Sequence, residues 1–362
     1  MKMPTDAIRE EILKCGEISF ARFMELALYC PETGYYEAKK DNVGRAGDFI
    51  TSVSTGELFG QLLAFQFAEW LDELKIQNEK LKIIEAGAHD GKLAADILNW
   101  LKIFRPELFS KIEYCLIEPS ETRRRWQKET LAKFAGKIHW VTQISELGNR
   151  QSAIIFSNEL LDAMPVHRFD WDAKAKQWFE WCVVLNGEKF TWIRSLGDSH
   201  AFPSAVRDLP SALLAVLPDG YTIETSPAAE QWWRAAAGVL THGRLLAIDY
   251  GFTAEEQISP SRLHGTLRAY HRHHVSDDLL ANVGEQDLTA HVNFTAIQKV
   301  GEAVGLQTEN FCTQPQFLTR ILEAAMKKGF FSEWEARQTR QFQTLTHPDH
   351  LGRAFRVLVQ SR

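Results

Sequence analysis

The 362-residue chain lacks several signatures that would settle its class at once. Its five cysteines, Cys15, Cys30, Cys115, Cys182 and Cys312, are scattered, odd in number and form no C-x-x-C pair. That excludes a zinc-finger spacing and a disulfide framework, and suits a reducing compartment. No apolar run approaches the roughly 20 residues that a membrane span requires. There is no basic excess either: the net charge of -6 argues against a general nucleic-acid binder. No apolar signal core and no Arg-rich transit pattern opens the sequence, so the expected location is the cytoplasm. Repeats and low-complexity tracts are absent. What remains is an ordinary globular composition, 45% hydrophobic and 24% charged, sufficient for one large domain or two smaller ones.

The most informative stretch is residues 81–93. Leu81, Ile83 and Ile84 form a short apolar run suited to a buried strand, and Glu85 stands where that strand should end. Gly87 and Gly91 bracket a turn, after which Leu93, Ala94, Ile97, Leu98 and Leu101 recur at helical spacing. Strand, glycine turn and helix make half of a nucleotide-binding unit, whose ligands sit beyond the carboxyl ends of the strands. The dinucleotide fingerprint is incomplete, because His89 stands where its middle glycine should be.

Residues 113–117 read as a second buried strand ending at Glu118-Pro119. An acid at that point can accept hydrogen bonds from both hydroxyls of a ribose. Its distance from Glu85 exceeds the usual dinucleotide spacing, which favours a methyltransferase-like first helix over a dehydrogenase. Residues 153–157 form another apolar strand, followed by Asn158-Glu159-Leu160-Leu161-Asp162-Ala163-Met164-Pro165. Polar groups at a strand's carboxyl end fall on the edge where chemistry occurs in this architecture, although they also serve as helix caps.

Further strands are expected at 137–141, 221–224, 243–249 and 355–359. Helices are expected within 5–30 (two, capped by Thr5 or Asp6 and by Ser19) and over 56–74, 121–135, 293–304, 317–326 and 334–345. Alternating aromatic and β-branched residues over 166–193, interrupted at Asn186-Gly187, predict an antiparallel insert. Residues 262–292 contain His264, His271, His273, His274 and His291 without the spacing of a zinc helix, and read as a solvated or substrate-facing loop.

Taken in order, these segments resemble the MidA family (mitochondrial dysfunction protein A) of class I S-adenosylmethionine-dependent methyltransferases, whose mitochondrial members assist assembly of respiratory complex I. Gly47-Asp48-Phe49-Ile50-Thr51-Ser52 is similar to the family's N-terminal block. Glu85-Ala86-Gly87-Ala88-His89-Asp90-Gly91 is similar to its cofactor loop, and Ile117-Glu118-Pro119-Ser120 to its second-strand block. The run from Asn158 to Val166 resembles its most distinctive motif. Asp249-Tyr250-Gly251, Gly265-Thr266-Leu267-Arg268-Ala269-Tyr270 and Asp287-Leu288-Thr289-Ala290-His291-Val292 continue the series. His89 departs from the family's glycine, and a Cβ there limits the backbone near a ligand.

The resemblance implies an α/β class I methyltransferase (Rossmann-like) fold: a doubly wound sheet with an N-terminal helical segment and an antiparallel β-rich insert. Residues 1–75 would form the helical segment and an active-site cap, and 76–362 the methyltransferase domain, with inserts at about 166–219 and 252–292. It implies S-adenosyl-L-methionine as cofactor, held by Glu85, Gly87, Gly91, Glu118, Pro119, Asp48, Thr51 and Asn158. It implies methyl transfer to a protein arginine, with Glu159, Asp162 and Asn158 catalytic and Arg268, Tyr270 and His291 on the substrate side. The implied partner is a protein substrate, a respiratory-complex subunit among the candidates, with a homodimer left open; no metal, nucleic acid or membrane span is expected. Rival readings are an assembly module with this fold and little catalysis, an NAD-dependent oxidoreductase and a nucleic-acid methyltransferase. His89 favours the first, whereas Glu118, Asn158, Glu159 and Asp162 oppose it.

Overall fold

The computed structural model describes residues 2–38, 51–74, 81–148, 151–196, 203–207, 209–271 and 274–362. The chain divides into two units, one formed by Met1–Asn42, Asp162–Gln231 and Phe252–Ile297, the other by Val43–Leu161, Trp232–Gly251 and Gln298–Arg362.

In the second unit, seven strands form a continuous sheet. In chain order they are Leu81–Ala86, Ile112–Ile117, Ile138–Val141, Gln151–Asn158, Leu240–Phe252, Gln307–Thr313 and Phe355–Ser361. Their spatial order is third, second, first, fourth, fifth, seventh, sixth. The first five run parallel. The seventh is antiparallel to both of its neighbours. This is the doubly wound class I methyltransferase sheet expected from the sequence.

The central strands are apolar on both faces because helices cover both sides of a parallel sheet. Ile83, Ile84, Ile154, Ile155, Leu245 and Leu246 are all fully buried. The helix Leu58–Glu73 contributes Phe59, Leu62, Leu63 and Phe67 to the same core. Strand order reverses between the first and fourth strands, and ligands of such sheets bind beyond the carboxyl ends at that reversal. The register places Ala86 opposite Ser157, so Gly87 leaves its strand at the level of Asn158, the last residue of the fourth strand.

The first unit contains the predicted antiparallel insert. His167–Asp172, Gln177–Asn186 and Lys189–Ser195 form a meander, and Tyr221–Thr225 extends it. The hairpin turns at Gly187, as Asn186-Gly187 predicts. Helix Phe20–Tyr29 packs Phe20, Phe23, Met24 and Leu28 into one core with Val166 and Val183. Ser19 caps that helix, accepting from the Arg22 N–H.

Several local readings change. The first helix begins at Pro4 with Met3 as its cap, not Thr5 or Asp6, because proline is preorganised for a helix's first turn. Residues 121–135 divide into helix Glu121–Thr130 and the tighter turn Ala132–Lys137. The histidine-rich loop is instead a three-stranded sheet, Arg268–His271, His274–Ser276 and Asp287–Thr289. His273 lies outside the described residues. Strand Gln307–Thr313 has no counterpart in the sequence reading; it borders the sheet, where a polar strand is tolerated.

Candidate active site

At the carboxyl end of the first strand, Glu85 is buried and its Oε2 accepts from the Tyr114 hydroxyl at 2.5 Å. Burial pushes its carboxyl up to about 8, against the lowering effect of Tyr114. The chain then turns through Gly87 at φ 76°. A Cβ there would lie 2.9 Å from Leu160 Cδ1, so this position needs both the absence of a side chain and the left-handed backbone. Gly91 opens helix Lys92–Phe104, and its N–H donates to the Ala88 carbonyl at 2.7 Å. Between them His89 adopts φ 46°, the region glycine enters freely. The loop therefore keeps its glycine-like path despite the side chain, at a cost of about 1–2 kcal/mol.

Glu118 ends the second strand and is almost fully buried. Its Oε1 accepts from the Ser120 N–H and Arg123 Nε, each at 2.9 Å. Its Oε2 accepts from Gln127 Nε2 at 3.1 Å. Burial raises its carboxyl pKa while the Arg123 charge opposes the shift. The same Gln127 Nε2 donates to the His89 carbonyl at 3.0 Å, tying the glycine turn to the Glu118 corner. Pro119 beside it is exposed. Gln127, Tyr114 and Arg123 were not identifiable as site residues, because they lie on interior faces of elements whose pattern reads as packing.

The fourth strand delivers a different environment. Asn158 Nδ2 donates to Glu159 Oε1 at 3.0 Å, and the Ser52 N–H donates to the same oxygen at 2.9 Å. Among the described residues, Glu159 Oε2, Asn158 Oδ1 and Ser157 Oγ are buried with no hydrogen-bond partner. Desolvation pushes the Glu159 carboxyl up to about 8. Glu159 also sits at φ 52°, a left-handed conformation for a residue with a side chain.

Asp249, fully buried at the end of the fifth strand, holds that turn in place. Its Oδ2 accepts from the Leu160 and Leu161 N–H groups at 3.1 and 2.8 Å, and Oδ1 from the Tyr250 N–H at 2.9 Å. The Glu159 N–H donates to the Ile248 carbonyl at 3.0 Å. The acid closing an apolar strand was the available signal for Asp249. Thr51 is buried; its N–H donates to Ser54 Oγ, and its Oγ1 accepts from the Ser54 N–H. Asp48 lies outside the described residues.

The remaining sequence candidates belong to the first unit. Asp162 is buried there, and its carbonyl accepts from the Ala290 N–H at 2.9 Å. The Tyr36 hydroxyl donates to Asp287 Oδ1 at 2.7 Å. Tyr270 is half-buried, and burial pushes its hydroxyl pKa up, with smaller upward contributions from Asp287 and Asp162. Arg268 is exposed and donates from Nη1 to the Leu267 carbonyl. The His291 N–H donates to Thr266 Oγ1, and its ring lies 6.0 Å from that of Phe252. Within the second unit the structure brings Asn158 and Glu159 together, and within the first it groups Asp162, Tyr270 and Asp287. Among the described residues, no three His, Cys, Asp or Glu side chains are arranged to hold a metal, and no helix is long and apolar enough to cross a membrane.

Known proteins are similar to this chain in sequence and fold. Residues 62–312 match the family model described as S-adenosyl-L-methionine-dependent methyltransferase. A Drosophila melanogaster protein named protein arginine methyltransferase NDUFAF7 homolog, mitochondrial, is 26% identical over 382 aligned positions, covering 97% of this chain and 83% of its own. The Mus musculus protein arginine methyltransferase NDUFAF7, mitochondrial, is 28% identical, covering 81% of this chain and 68% of its own. A crystal structure from Burkholderia thailandensis with S-adenosyl-homocysteine bound has a TM-score of 0.85 at 30% identity, over 99% of this chain and 92% of that one. The expectation of a cytoplasmic protein is corrected by these relatives, whose names place them in mitochondria.

Proposed function

The chain belongs to this family of S-adenosyl-L-methionine-dependent methyltransferases, and from that premise we propose that its methyl acceptor is an arginine side chain of a protein. The observation that carries the reading is the Asn158–Glu159 turn, where buried acceptor oxygens face no protein donor among the described residues. The relatives named protein arginine methyltransferase support the same acceptor.

The residues fit S-adenosyl-L-methionine. Gly87 keeps side-chain bulk out of the turn beyond the first strand, and Glu85 is a carboxylate that a cationic ammonium would draw back to its ionised form. A carboxylate offers about four acceptor sites, and Glu118 uses three, so capacity for a ribose hydroxyl remains on Oε2. Gly91 opens the helix that follows the turn, Pro119 follows Glu118, and Asn158 Oδ1 is an acceptor in need of a donor. When bound, S-adenosyl-L-methionine supplies an electrophilic methyl on a good thioether leaving group. The protein's task is then alignment, desolvation and removal of a proton.

Guanidinium has a pKa above 12, so its proton must leave close to the transition state. Glu159 is suited to that step. Its pKa of about 8 lies near operating pH, and its free Oε2 can accept a guanidinium N–H. The Ser52 N–H and Asn158 Nδ2 hold the other oxygen, fixing the carboxylate plane. Asp249 does not touch the acceptor in this scheme; it is a positioning residue for the turn.

The test is Glu159→Gln. S-adenosyl-L-methionine binding by titration calorimetry should match wild type, while tritiated methyl transfer to protein arginine falls by about 10²–10⁴-fold. Full transfer by the variant would remove Glu159 from the mechanism. Methylated lysine or carboxyl products from the wild type would overturn the arginine assignment.

A further inference from the structure

A second concave site lies in the methyltransferase unit. It is a cavity of about 560 Å³ lined by Ser54, Thr55, Gly56, Arg337, Arg340, Gln341 and Thr344. One wall is the turn Val53–Thr55 and Gly56, and the other is one face of helix Ala336–Thr346. Arg337 and Arg340 are three residues apart on that helix, so both guanidinium stems rise from one side of it.

The walls are pinned together. Gln341, itself buried, accepts from the Leu58 N–H at 3.2 Å. A Cβ on Gly56 would meet Gln341 Nε2 at 2.1 Å, so glycine is what admits this side chain. Ser52 Oγ donates to Gln314 Oε1, and Gln314 Nε2 donates to the Leu345 carbonyl at 2.9 Å. A cavity held by such contacts is preformed, and a ligand need not order it.

The charge is not balanced. Among the described residues Arg337 has one partner, the exposed Glu57 at 3.6 Å, a geometry that contributes little in water. Among the described residues, no carboxylate pairs with Arg340. Two adjacent cations in a concave site, in a chain of net charge -6, specify an anionic ligand. The volume far exceeds what one phosphate or carboxylate occupies and lies in the range that holds larger ligands.

The location identifies the ligand further. The wall residue Ser54 is two positions from Ser52, whose N–H holds Glu159. Two residues of chain span at most about 7 Å. We propose that the Arg337–Arg340 cavity is an exosite for an acidic segment of the protein substrate, engaged while the methyl-accepting arginine reaches Glu159. The proposal rests on the protein-acceptor reading above.

Fluorescence anisotropy with labelled hexaglutamate and hexaglutamine tests it on the full chain. Hexaglutamate should bind wild type more tightly than hexaglutamine, and the Arg337→Gln/Arg340→Gln variant should bind it about tenfold more weakly. Arg337→Lys/Arg340→Lys should recover most of the affinity, and S-adenosyl-L-methionine binding should be unchanged in both variants. Undiminished hexaglutamate binding by the glutamine variant would overturn the site. Inorganic phosphate binding that depends on the two arginines, without hexaglutamate competition, would overturn its peptide specificity. Failure of the acceptor reading registers separately, as absence of arginine methylation by the wild type, because this assay measures binding alone.

Discussion

The two corners of the methyltransferase sheet treat buried carboxylates in opposite ways. At the end of the second strand, Glu118 receives Ser120, Arg123 and Gln127, and the Gln127 amide extends the network to the His89 carbonyl. At the end of the fourth strand, Glu159 has donors on one oxygen only, and its neighbours Asn158 and Ser157 present acceptors with no partner among the described residues. Each unsatisfied buried polar atom costs about 1–3 kcal/mol. The first corner has its hydrogen bonds made within the protein, which fixes its shape. The second keeps acceptor atoms in need of donors, as the proposed guanidinium acceptor would supply.

The contrast can be broken most severely through Asp249. Asp249→Ala strands the Leu160, Leu161 and Tyr250 N–H groups, so a loss of about 3 kcal/mol or more in unfolding free energy is expected, with methyl transfer falling below detection. Urea denaturation and a methylation assay check the two halves. A variant of wild-type stability would show that the turn holds its shape unaided.

Glu118→Gln targets the hydrogen-bonded corner. It keeps an acceptor for Ser120 but loses the charge facing Arg123. Binding of S-adenosyl-L-methionine should weaken about tenfold while protein-methylation rate at saturating cofactor changes little. A large fall in that rate with unaltered affinity would contradict the division of labour.

A pH series sharpens the comparison. Burial holds Glu159 protonated in the folded chain up to about 8, above the ordinary glutamate value of 4.5. The folded state therefore binds the extra proton between those values, and wild type should lose stability relative to Glu159→Gln as pH rises from 4.5 to 8. Above 8 the gap should stop changing. Melting temperatures of the pair across this window measure it, and methyl transfer should rise towards a plateau past the same pKa. A constant gap would mean that Glu159 is ionised throughout.

The smallest effect is expected at His89. Replacing it with glycine relieves about 1–2 kcal/mol of left-handed strain but adds about 0.5–1 kcal/mol of backbone entropy to the unfolded state. Net stabilisation should stay below about 1.5 kcal/mol. Strong destabilisation would mean the ring contributes more than its 5.9 Å approach to Trp126 suggests.

The parallel strands were legible because each is an apolar run closing on an acid or amide. Leu81–Ala86, Ile112–Ile117 and Gln151–Asn158 end at Glu85, Glu118 and Asn158, as the sequence reading anticipated to within a residue or two. The Asn186-Gly187 hairpin was equally clear, since its turn residues have one efficient use. Of the two border strands, Ile138–Val141 was legible and the other was not. Gln307–Thr313 is polar, with a single strand beside it, and leaves little periodic trace. The short strands at Arg268–His271 and Asp287–Thr289 were hidden by their histidines and brevity. The sequence reading singled out Asn158 and Glu159 as candidates and gave Asp249 no site role, because the contacts of Asp249 are made with a turn about 90 positions away.

That separation has a kinetic consequence. The Glu159 turn is shaped by Asp249 and by the Ile248 carbonyl, so it cannot exist until the fourth and fifth strands are adjacent. The intervening stretch, residues 159–239, must first be gathered in, and such distant pairings form slowly. Helices such as Leu58–Glu73 and Lys92–Phe104 can take shape well before then. A nascent or refolding chain would thus be rich in helix and yet devoid of its reactive carboxylate geometry. Regain of methyl transfer should lag regain of helical circular dichroism, which makes enzymatic competence a late clock for the folding of this molecule.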